Sequence, residues 1–226
     1  ALHDAYFTSY TADERPFYNL IHEYPLSGKP PMMTHFFENN EGKRIVAAKG
    51  APESILNVSD LDEKQKSKIV EAISALGKVG YRLLGVAETE FEGTDFPGSQ
   101  QDLKFKFKGI VAFYDPPKEN INSVLNNFYS AGIQVKIITG DNADTTIAIA
   151  KQINFRHYDN HMSGDELIGL TDDELRKKVV DTMVFTRMFP EAKLKVINAL
   201  KANSEIVAMT GDGVNDGPAL KASHIG

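Results

Sequence analysis

The sequence predicts two units of different class, an α+β unit with an antiparallel sheet over residues 1–104 and an α/β unit with a parallel sheet over residues 105–226. In the first stretch, short strands are joined by a hairpin connection, which is typical of antiparallel sheets. After Phe105, near-continuous apolar strands alternate with helices, which is typical of a parallel sheet covered on both faces. The length of 226 residues accommodates one large domain or two small ones.

The first half contains short strands and two helices. Glu38-Asn39-Asn40-Glu41-Gly42 is a hairpin connection between two strands, and Pro52 suits the first turn of a short helix. Ile69, Ile73 and Leu76 among Lys and Glu indicate a surface helix. The predicted elements are strands Leu20–Tyr24, Met32–Phe37, Arg44–Ala48 and Tyr81–Glu88, helices Glu53–Val58 and Asp62–Lys78, and loops Tyr10–Tyr18 and Phe91–Gln101.

In the second half, strands and helices alternate. One helix begins after Pro117 and ends at Gly132, and Pro190 takes a typical first-turn position in another. The predicted strands are Lys108–Tyr114, Ile133–Ile138, Met183–Thr186 and Glu205–Met209, and the predicted helices are Lys118–Ala131, Thr145–Ile153, Asp172–Val180 and Pro190–Asn203. In such sheets the chemistry is found at the carboxyl ends of the strands.

Composition excludes several classes of function. The formal net charge is −6 and the chain has no basic tract, which disfavours nucleic-acid binding. The absence of cysteine excludes disulfides, thiolate chemistry and cysteine-based zinc sites. No apolar run approaches the roughly 18 residues of a membrane helix, and the chain starts at Ala1 without a signal-peptide pattern. We therefore expect a soluble piece of a longer protein.

Polar residues gather where three predicted strands end. The strands before Asp115, Asp141 and Asp212 each deliver an aspartate to the same end of one sheet. Two of these loops also carry a Thr-Gly pair, Thr139-Gly140 and Thr210-Gly211, whose glycine lets the backbone approach a ligand closely. We therefore expect a binding site at this sheet end.

This cluster has the chemistry of a site for a phosphoryl group held with a cation. Free N–H groups at a helix start, as in the loop that holds Thr139, favour an anion, and the hydroxyl of this residue can donate to a phosphate oxygen. The carboxylates of Asp212 and Asp216 repel phosphate unless a divalent ion lies between them, and oxygen ligands suit Mg²⁺. Lys193 or Lys195, on a helix that begins at this sheet end, would neutralise the transferring group.

The alternative is ordinary turn chemistry, because Asp-Gly and Asp-Asn pairs are common in turns. For a single loop this interpretation is the more common one. In Gly211–Gly217, acids and amides stand among three glycines directly after a buried strand, and this combination favours a site. His157 and His161 have the spacing of two metal ligands on a helix, but their polar segment Arg156–Gly164 offers no third ligand, so we expect no metal there.

With these motifs the sequence resembles the P-type ATPases, the cation pumps of the haloacid dehalogenase superfamily. The five motifs that carry the resemblance occur in family order across most of the chain. They are Lys49-Gly50-Ala51-Pro52-Glu53, similar to KGAPE; Gly80–Ala87, similar to a further stretch of the nucleotide domain; Asp115-Pro116-Pro117-Lys118, similar to DPPR; Thr139-Gly140-Asp141-Asn142, similar to the TGD loop; and Thr210–Leu220, similar to TGDGVND.

The resemblance implies a nucleotide-binding domain over residues 1–104 and most of a Rossmann-like phosphorylation domain over residues 105–226, lacking its first strand. KGAPE, TGDN and DPP favour the calcium-type branch of the family. The implied cofactors are ATP and Mg²⁺. The implied partners are the actuator and transmembrane parts of an integral membrane pump, with the chain on the cytoplasmic face of the membrane.

The resemblance also implies a nucleotide site in which Lys49 lines the ATP pocket, Tyr24 stacks on adenine and Arg82 contacts the nucleotide phosphates between domains. Taken alone, each of these residues has an ordinary alternative: packing for the Tyr24 ring, solvation for Lys49 and strand-edge charge for Arg82. The full set of implied nucleotide-site residues is Tyr24, Lys29, Lys49, Gly50, Arg82 and Asp115.

The same resemblance implies a phosphoryl site in the second unit. Lys193 would contact the phosphoryl group, and Asp212 would bind Mg²⁺. Asn215 and Asp216 would support the metal and the phosphate. Lys118 replaces the usual arginine of the DPPR element, which keeps the charge but loses bidentate geometry. The implied catalytic residues are Thr139, Gly140, Asp141, Lys193, Asp212, Asn215 and Asp216, with Asp212 and Asp216 as metal ligands.

The nucleophile of the family is absent from this sequence, because no Asp is followed by Lys-Thr-Gly-Thr. In the family that DKTGT segment follows a strand in the middle of the phosphorylation-domain sheet. We therefore expect nucleotide binding without turnover. We also expect two exposed strand edges, which pair with a second copy in a homodimer or are covered in another way.

Two other classes of function are considered. A free-standing phosphatase of the dehalogenase superfamily needs an Asp-x-Asp nucleophile after a strand, and none occurs at a suitable place. A non-catalytic interaction or regulatory module on a nucleotide-binding fold needs no nucleophile. A binding assay separates it from the pump fragment, since it would show no ATP competition at Lys49 and Tyr24.

Overall fold

The computed structural model describes residue 13 and residues 15–28, 30–93, 95–211 and 213–226, and the chain forms two compact units. The first unit comprises the described residues up to Ile73 together with Leu83–Phe113, and the second comprises Ser74–Arg82 and Tyr114–Gly226. The contacts divide after Phe113, because the strand that ends there joins the first sheet.

A five-stranded sheet forms the first unit, in the order β1-β2-β3-β4-β5. Its first four strands pair antiparallel, each with the next, which confirms the predicted sheet type. The strands are β1 (Tyr18–Ser27), β2 (Met32–Asn39), β3 (Arg44–Gly50), β4 (Arg82–Thr89) and β5 (Lys106–Phe113); the helices are α1 (Pro52–Val58) and α2 (Glu63–Lys78), with 3₁₀ turns at Arg15–Phe17 and Gln100–Asp102.

One face of this sheet carries the core of the first unit. Alternate residues of β2 and β3 are buried, as expected when side chains of a strand point to opposite faces. Ile55 of α1 packs on that face together with Phe105, which precedes β5. The buried apolar residues of this core are Met32, Phe36, Val46, Ala48, Ile55, Ala87, Leu103 and Phe105. Lys49, between two buried positions, therefore points to the other face.

A three-stranded parallel sheet in the order β6-β8-β7 lies at the centre of the second unit. Its strands are β6 (Ile137–Ile138), β7 (His161–Ser163) and β8 (Val184–Thr186). The helices are α3 (Ile121–Ser130), α4 (Ala143–Gln152), α5 (Gly164–Ile168), α6 (Asp172–Asp181), α7 (Pro190–Ala202) and α8 (Gly217–Ala222), with a 3₁₀ turn at Val214–Asp216. The predicted α/β class is therefore confirmed.

Neighbouring residues of β8 enter two different cores. Phe185 packs among residues of α5, α6 and α7, whereas Val184 packs with Leu125 of α3 and Ala150 of α4. All of these side chains are buried. The parallel sheet is thus covered on both faces, as the apolar runs of the sequence indicate.

Two strand predictions of the second half were wrong. The segment predicted as Lys108–Tyr114 is β5, and it lies at the end of the first sheet instead of opening the parallel one. Residues 205–209 form no strand but one isolated parallel bridge, Ala208 with Ile225. Residues 207–209 are hydrogen-bonded through their backbone to the segment 224–225 instead of joining the sheet that contains β6, since Met209 donates to Ile225 and His224 donates to Val207.

Strand β7 was not predicted, because its polar residues show no strand pattern. It forms because Met162 is buried in the core and the strand pairs with β8. Strand β6 is shorter than predicted and begins at Ile137. Just before it, the Lys136 ammonium donates to the carbonyls of Val180 and Thr182 at 2.8 and 2.7 Å. Partial burial there lowers the pKa of Lys136 to about 8.

None of the helices in the described ranges combines the length and the apolarity needed to cross a membrane.

Candidate functional site

Two loops of the second unit are joined at the carboxyl end of its sheet. After β8, the amide of Arg187 donates to the carbonyl of Asp141 at 2.8 Å, and the amide of Met188 donates to the carbonyl of Thr139 at 2.9 Å. The loop that follows β6 is thereby held against the loop that leads into α7. This is the sheet end at which the sequence predicts a site.

The N-terminus of α4 in this loop offers free donors. Asn142 caps the helix, since its side-chain oxygen accepts the amide of Thr145 at 2.9 Å. The Thr139 hydroxyl oxygen accepts the amide of Asp141 at 3.1 Å, which leaves its own proton available. Within the described part of the chain, the amides of Gly140 and Ala143 have no protein acceptor. Such amides at the start of a ten-residue helix favour a bound anion.

A buried ion pair lies at the start of α7. Lys193 Nζ is 2.6 Å from Asp216 Oδ1, and the two side chains are 12% and 11% exposed. The other oxygen of Asp216 accepts the amide of Gly213 at 3.3 Å. Because Lys193 stands on the first turn after the loop that contacts Thr139 and Asp141, the structure brings this cation to the same sheet end.

Residue 211 has to be a glycine because Asp216 lies too close to it for a side chain. A Cβ atom added at Gly211 would lie 2.7 Å from the Cβ of Asp216, closer than real Cβ atoms come to other atoms. Asn215 is exposed, and Asp216 is buried. Asp212 lies outside the described residues, so its predicted approach to Thr139 stays a prediction.

The loop that contains Asp216 could hold a hard cation such as Mg²⁺, because its carboxylate and carbonyl oxygens are suitable ligands for one. The described residues contain no group of three or more His, Asp or Glu that could hold a metal ion. Both oxygens of Asp216 already accept hydrogen bonds from protein donors. Asp216 would therefore share its carboxylate between Lys193 and any Mg²⁺ bound here, and Asp212 stays the predicted second ligand.

Arg82 lies beside the same loop. Its Nε is 3.3 Å from Asp141 Oδ1, and the neighbouring carbonyl of Tyr81 accepts the hydroxyl of Thr145 at 2.9 Å. The Arg82 side chain is 57% exposed, so this ion pair contributes little to stability. Arg82 does, however, place a second positive charge beside the loop from which α4 begins.

In the first unit, Lys49 and Gly50 lie near the end of the central strand β3. Lys49 is half-buried and pairs with Met33 on one side and Val86 on the other. Gly50 is buried, and a Cβ atom there would lie 2.6 Å from the Cα of Met32. Close packing of β2 on β3 therefore explains the glycine that follows Lys49.

Tyr24 lies on the opposite face of this sheet from Lys49. Tyr24 pairs with the buried Thr34, and its ring centroid is 5.9 Å from that of Phe36 in the core. Its hydroxyl donates to the carbonyl of Pro97. Burial, with the negative charge of Asp102, raises the pKa of Tyr24. The structure therefore does not bring these two predicted nucleotide-site residues to one face.

Asp115 and Lys29 are the remaining predicted residues of the nucleotide site. Asp115 is exposed in the connection between β5 and α3. Lys29 lies outside the described residues. Sequence reasoning also missed Arg187 and Met188, whose amides hold the Thr139 loop. The available signal was their position directly after a predicted strand of the same sheet.

Comparisons with known proteins agree with this architecture. A family model described as haloacid dehalogenase-like hydrolase matches residues 26–224. The chain is 34% identical over 223 residues to "Calcium-transporting ATPase 1" of Saccharomyces cerevisiae, covering 91% of this chain and 24% of the relative. It is 34% identical over 221 residues to "Calcium-transporting ATPase" of Bacillus subtilis, covering 92% and 25%.

A third relative is named for other cations. The "Sodium/potassium exporting P-type ATPase" of Schizosaccharomyces pombe is 32% identical over 226 residues, covering 91% of this chain and 22% of the relative. The chain thus spans about a quarter of the length of these relatives. The resemblance to P-type cation ATPases, with the calcium branch favoured, is confirmed. On its family match and its fold, the chain belongs to the haloacid dehalogenase-like hydrolases.

Proposed function

We propose that the chain is the ATP-binding and phosphorylation-domain portion of an ATP-driven cation pump that works through an aspartyl-phosphate. The observation that carries the proposal is the Lys193–Asp216 pair beside the free amides of the Thr139 loop. The pump relatives support the same proposal, and those named for calcium favour calcium as the transported cation. The proposed partners are the remaining domains of such a pump, its actuator domain and transmembrane helices, and the proposed place of this chain is the cytoplasmic face of the membrane.

The proposed chemistry at the second unit is stabilisation of a phosphoryl group by positioned charges. The amides of Gly140 and Ala143, the Thr139 hydroxyl and the Lys193 ammonium would contact its oxygens, since phosphoryl transfer depends mainly on positioning and charge neutralisation. Asp212 and Asp216 would hold Mg²⁺, which neutralises phosphate charge when bound. Because no Asp precedes Lys-Thr-Gly-Thr, the chain should bind without turnover.

We propose that ATP binds to the first unit at the end of β3 that holds Lys49 and Gly50. Asp115 and Lys29 belong to the proposed site through the family resemblance alone. Tyr24 belongs to it only if the ring leaves its present contacts with Phe36 and Pro97. Arg82 likewise belongs to the proposed site through the family resemblance, since the contact that the structure gives it is with Asp141 of the second unit.

Replacing Lys49 with Met is expected to weaken ATP binding about tenfold, because a charge-assisted bond to a phosphate is lost while the aliphatic stem remains. Competition of ATP with a fluorescent ATP analogue measures this. Lys43→Met, at an exposed hairpin position in the same unit, is the matched control and should leave the affinity unchanged. Equal effects of the two variants, or no ATP binding by the unaltered chain, would favour the interaction module instead.

The expected absence of ATP hydrolysis is tested separately, by measuring phosphate release from ATP. Steady ATP hydrolysis by the chain, abolished by Asp212→Ala, would contradict the proposed role as a binding portion without a nucleophile.

We propose further that the chain forms a homodimer through strand edges of the second unit. Within the described residues β6 pairs with β8 alone. The amides of Ile137 and Thr139 donate to Met183 and Phe185, so the amide of Ile138 between them points to the open edge of β6. Ile206, in the segment that forms no strand, is 78% exposed. Sedimentation is expected to show twice the mass of the chain at high concentration, together with slowed exchange of the Ile138 amide. Monomers alone, at every concentration, would contradict this pairing.

A further inference from the structure

We infer that Arg187 and Gly164 are positioning residues for the anion-binding loop Thr139–Asn142, Arg187 through its backbone conformation and Gly164 through the space that it leaves. The geometry of the loop is independent of any ligand. Only the identity of the anion, a phosphoryl group, rests on the proposed function.

Arg187 has a left-handed backbone, with φ of 50°. This conformation is uncommon for a residue with a side chain, and such residues concentrate at functional sites. The turn at Arg187 delivers two successive amides, its own and that of Met188, to the carbonyls of Asp141 and Thr139. These two bonds bracket Gly140, whose free amide is one of the proposed phosphate donors. The turn therefore sets the direction of that amide.

Gly164 supports this turn from behind. A Cβ atom at Gly164 would lie 2.6 Å from the carbonyl oxygen of Arg187, which is below the 3.0 Å that real Cβ atoms keep, and 3.3 Å from the Phe189 ring. Any larger residue at this position has to displace the Arg187 peptide. That peptide cannot move without changing the bond from Met188 to Thr139.

The position of Gly164 is itself rigid. It opens α5 directly after Ser163, whose amide and hydroxyl donate to the Glu166 carboxylate at 2.7 and 2.8 Å. These bonds hold the pKa of the Glu166 carboxyl below its usual range. Because these bonds hold the start of α5 in place, a side chain at Gly164 would displace the Arg187 peptide and not the helix.

The test compares two pairs of variants of the whole chain, using the backbone amide signal of Gly140 in ¹⁵N NMR. Arg187→Val and Arg187→Asn both remove the guanidinium, but a β-branched valine tolerates the left-handed backbone poorly and asparagine tolerates it well. Gly164→Ala introduces the clash, and Gly169→Ala adds a Cβ atom at the residue that directly follows the same short helix, 3.5 Å from its nearest neighbour. Each chain is titrated with inorganic phosphate in the presence of Mg²⁺, and its unfolding midpoint is measured.

The expected result is that Arg187→Val and Gly164→Ala shift the Gly140 signal without ligand and weaken phosphate binding about tenfold, a change of about 1.4 kcal/mol. Arg187→Asn and Gly169→Ala should keep the signal and bind within about twofold of the unaltered chain. If Arg187→Val does not fold, Gly164→Ala tests the same claim with Arg187 intact.

Equal losses in Arg187→Asn and Arg187→Val would assign the effect to the guanidinium and overturn the inference. An unmoved Gly140 signal in Gly164→Ala would overturn it as well, as would a fall in the unfolding midpoint with no change at Gly140. A Gly140 signal that phosphate leaves unchanged in the unaltered chain contradicts the proposed anion site, while the ligand-free signals of the four variants still decide the positioning role.

Discussion

Replacing Asp216 with Ala is expected to destabilise the second unit by about 3 kcal/mol, because it leaves the ammonium of Lys193 without its carboxylate in a site that is almost closed to water. The two side chains are only 12% and 11% exposed, so solvent screens the pair weakly. The amide of Gly213 loses its acceptor in the same variant. Amide hydrogen exchange at the buried strand β8 measures the loss.

The double variant Asp216→Ala with Lys193→Met separates the ion pair from the rest of the effect. Removing both charges takes away the unpaired ammonium, so the double variant should recover part of the stability that Asp216→Ala loses. Glu191→Ala, at an exposed position on the first turn of the same helix, is the matched control and should cost little. If the double variant is no more stable than Asp216→Ala, the pair is not the cause.

The same variants bear on the proposed function. In the proposed site Asp216 holds Lys193 at the sheet end where the amides of Gly140 and Ala143 are free. Phosphate affinity should therefore fall in Lys193→Met, even under conditions in which this variant is fully folded. Unchanged phosphate affinity would remove Lys193 from the proposed site, whatever the stability results show.

Replacing Phe36 with Ala is expected to destabilise the first unit by about 3–5 kcal/mol, the usual cost of removing a large buried ring. Phe36 is 0% exposed, and its ring contacts those of His22, Tyr24, Phe91 and Phe96 edge-on. The cavity left behind would separate this cluster of rings. Amide exchange at β2 and β3 reports the loss.

Phe37→Ala is the matched control, because the adjacent residue carries the same side chain on the other face of the strand. Phe37 is only partly buried, so its loss should cost clearly less than that of Phe36. The comparison also tests the register that places Tyr24 on the core face and Lys49 opposite to it. Equal losses for the two variants would show that this register is wrong.

Local signals predicted most of the helices. Pro52 and Pro190 stand in the first turns of α1 and α7, and the observed helices lie within a few residues of the predicted ones. These signals are local because a cap or a proline acts through the neighbouring backbone. The predicted meeting of the Thr139 loop with the start of α7 followed from the rule that parallel strands end at one edge.

Sheet membership was harder to predict. The pattern of residues 106–113 predicts a strand, but nothing in it distinguishes the end of an antiparallel sheet from the start of a parallel one. The polar segment that contains β7 shows no strand pattern, and pairing with β8 imposes its conformation. Residues 205–209 have a strand pattern but pair with the segment 224–225 instead of a sheet. In each case the deciding partner is remote in sequence.

The local sequence pattern also did not determine on which face of the sheet a side chain lies, because this depends on the register of strand pairing. The register of β1 shifts between Leu20 and His22, and the register after this shift pairs Tyr24 with Thr34 on the core face. A shift of one residue moves a strand's side chains to the other face, so a motif match cannot supply this information. The family resemblance therefore predicted Tyr24 and Lys49 in one nucleotide site, whereas the register places them on opposite faces of the sheet.

The sequence by itself determined the class of each unit, the helices with clear start signals, and the polar loops at the strand ends, because periodicity, prolines and turn residues act over a few neighbouring positions. Only the tertiary structure decided that Lys193 pairs with Asp216, that the turn at Arg187 holds the Thr139 loop, and that Gly164 must leave space behind it. These contacts join residues that are far apart along the chain, and packing between elements fixes them.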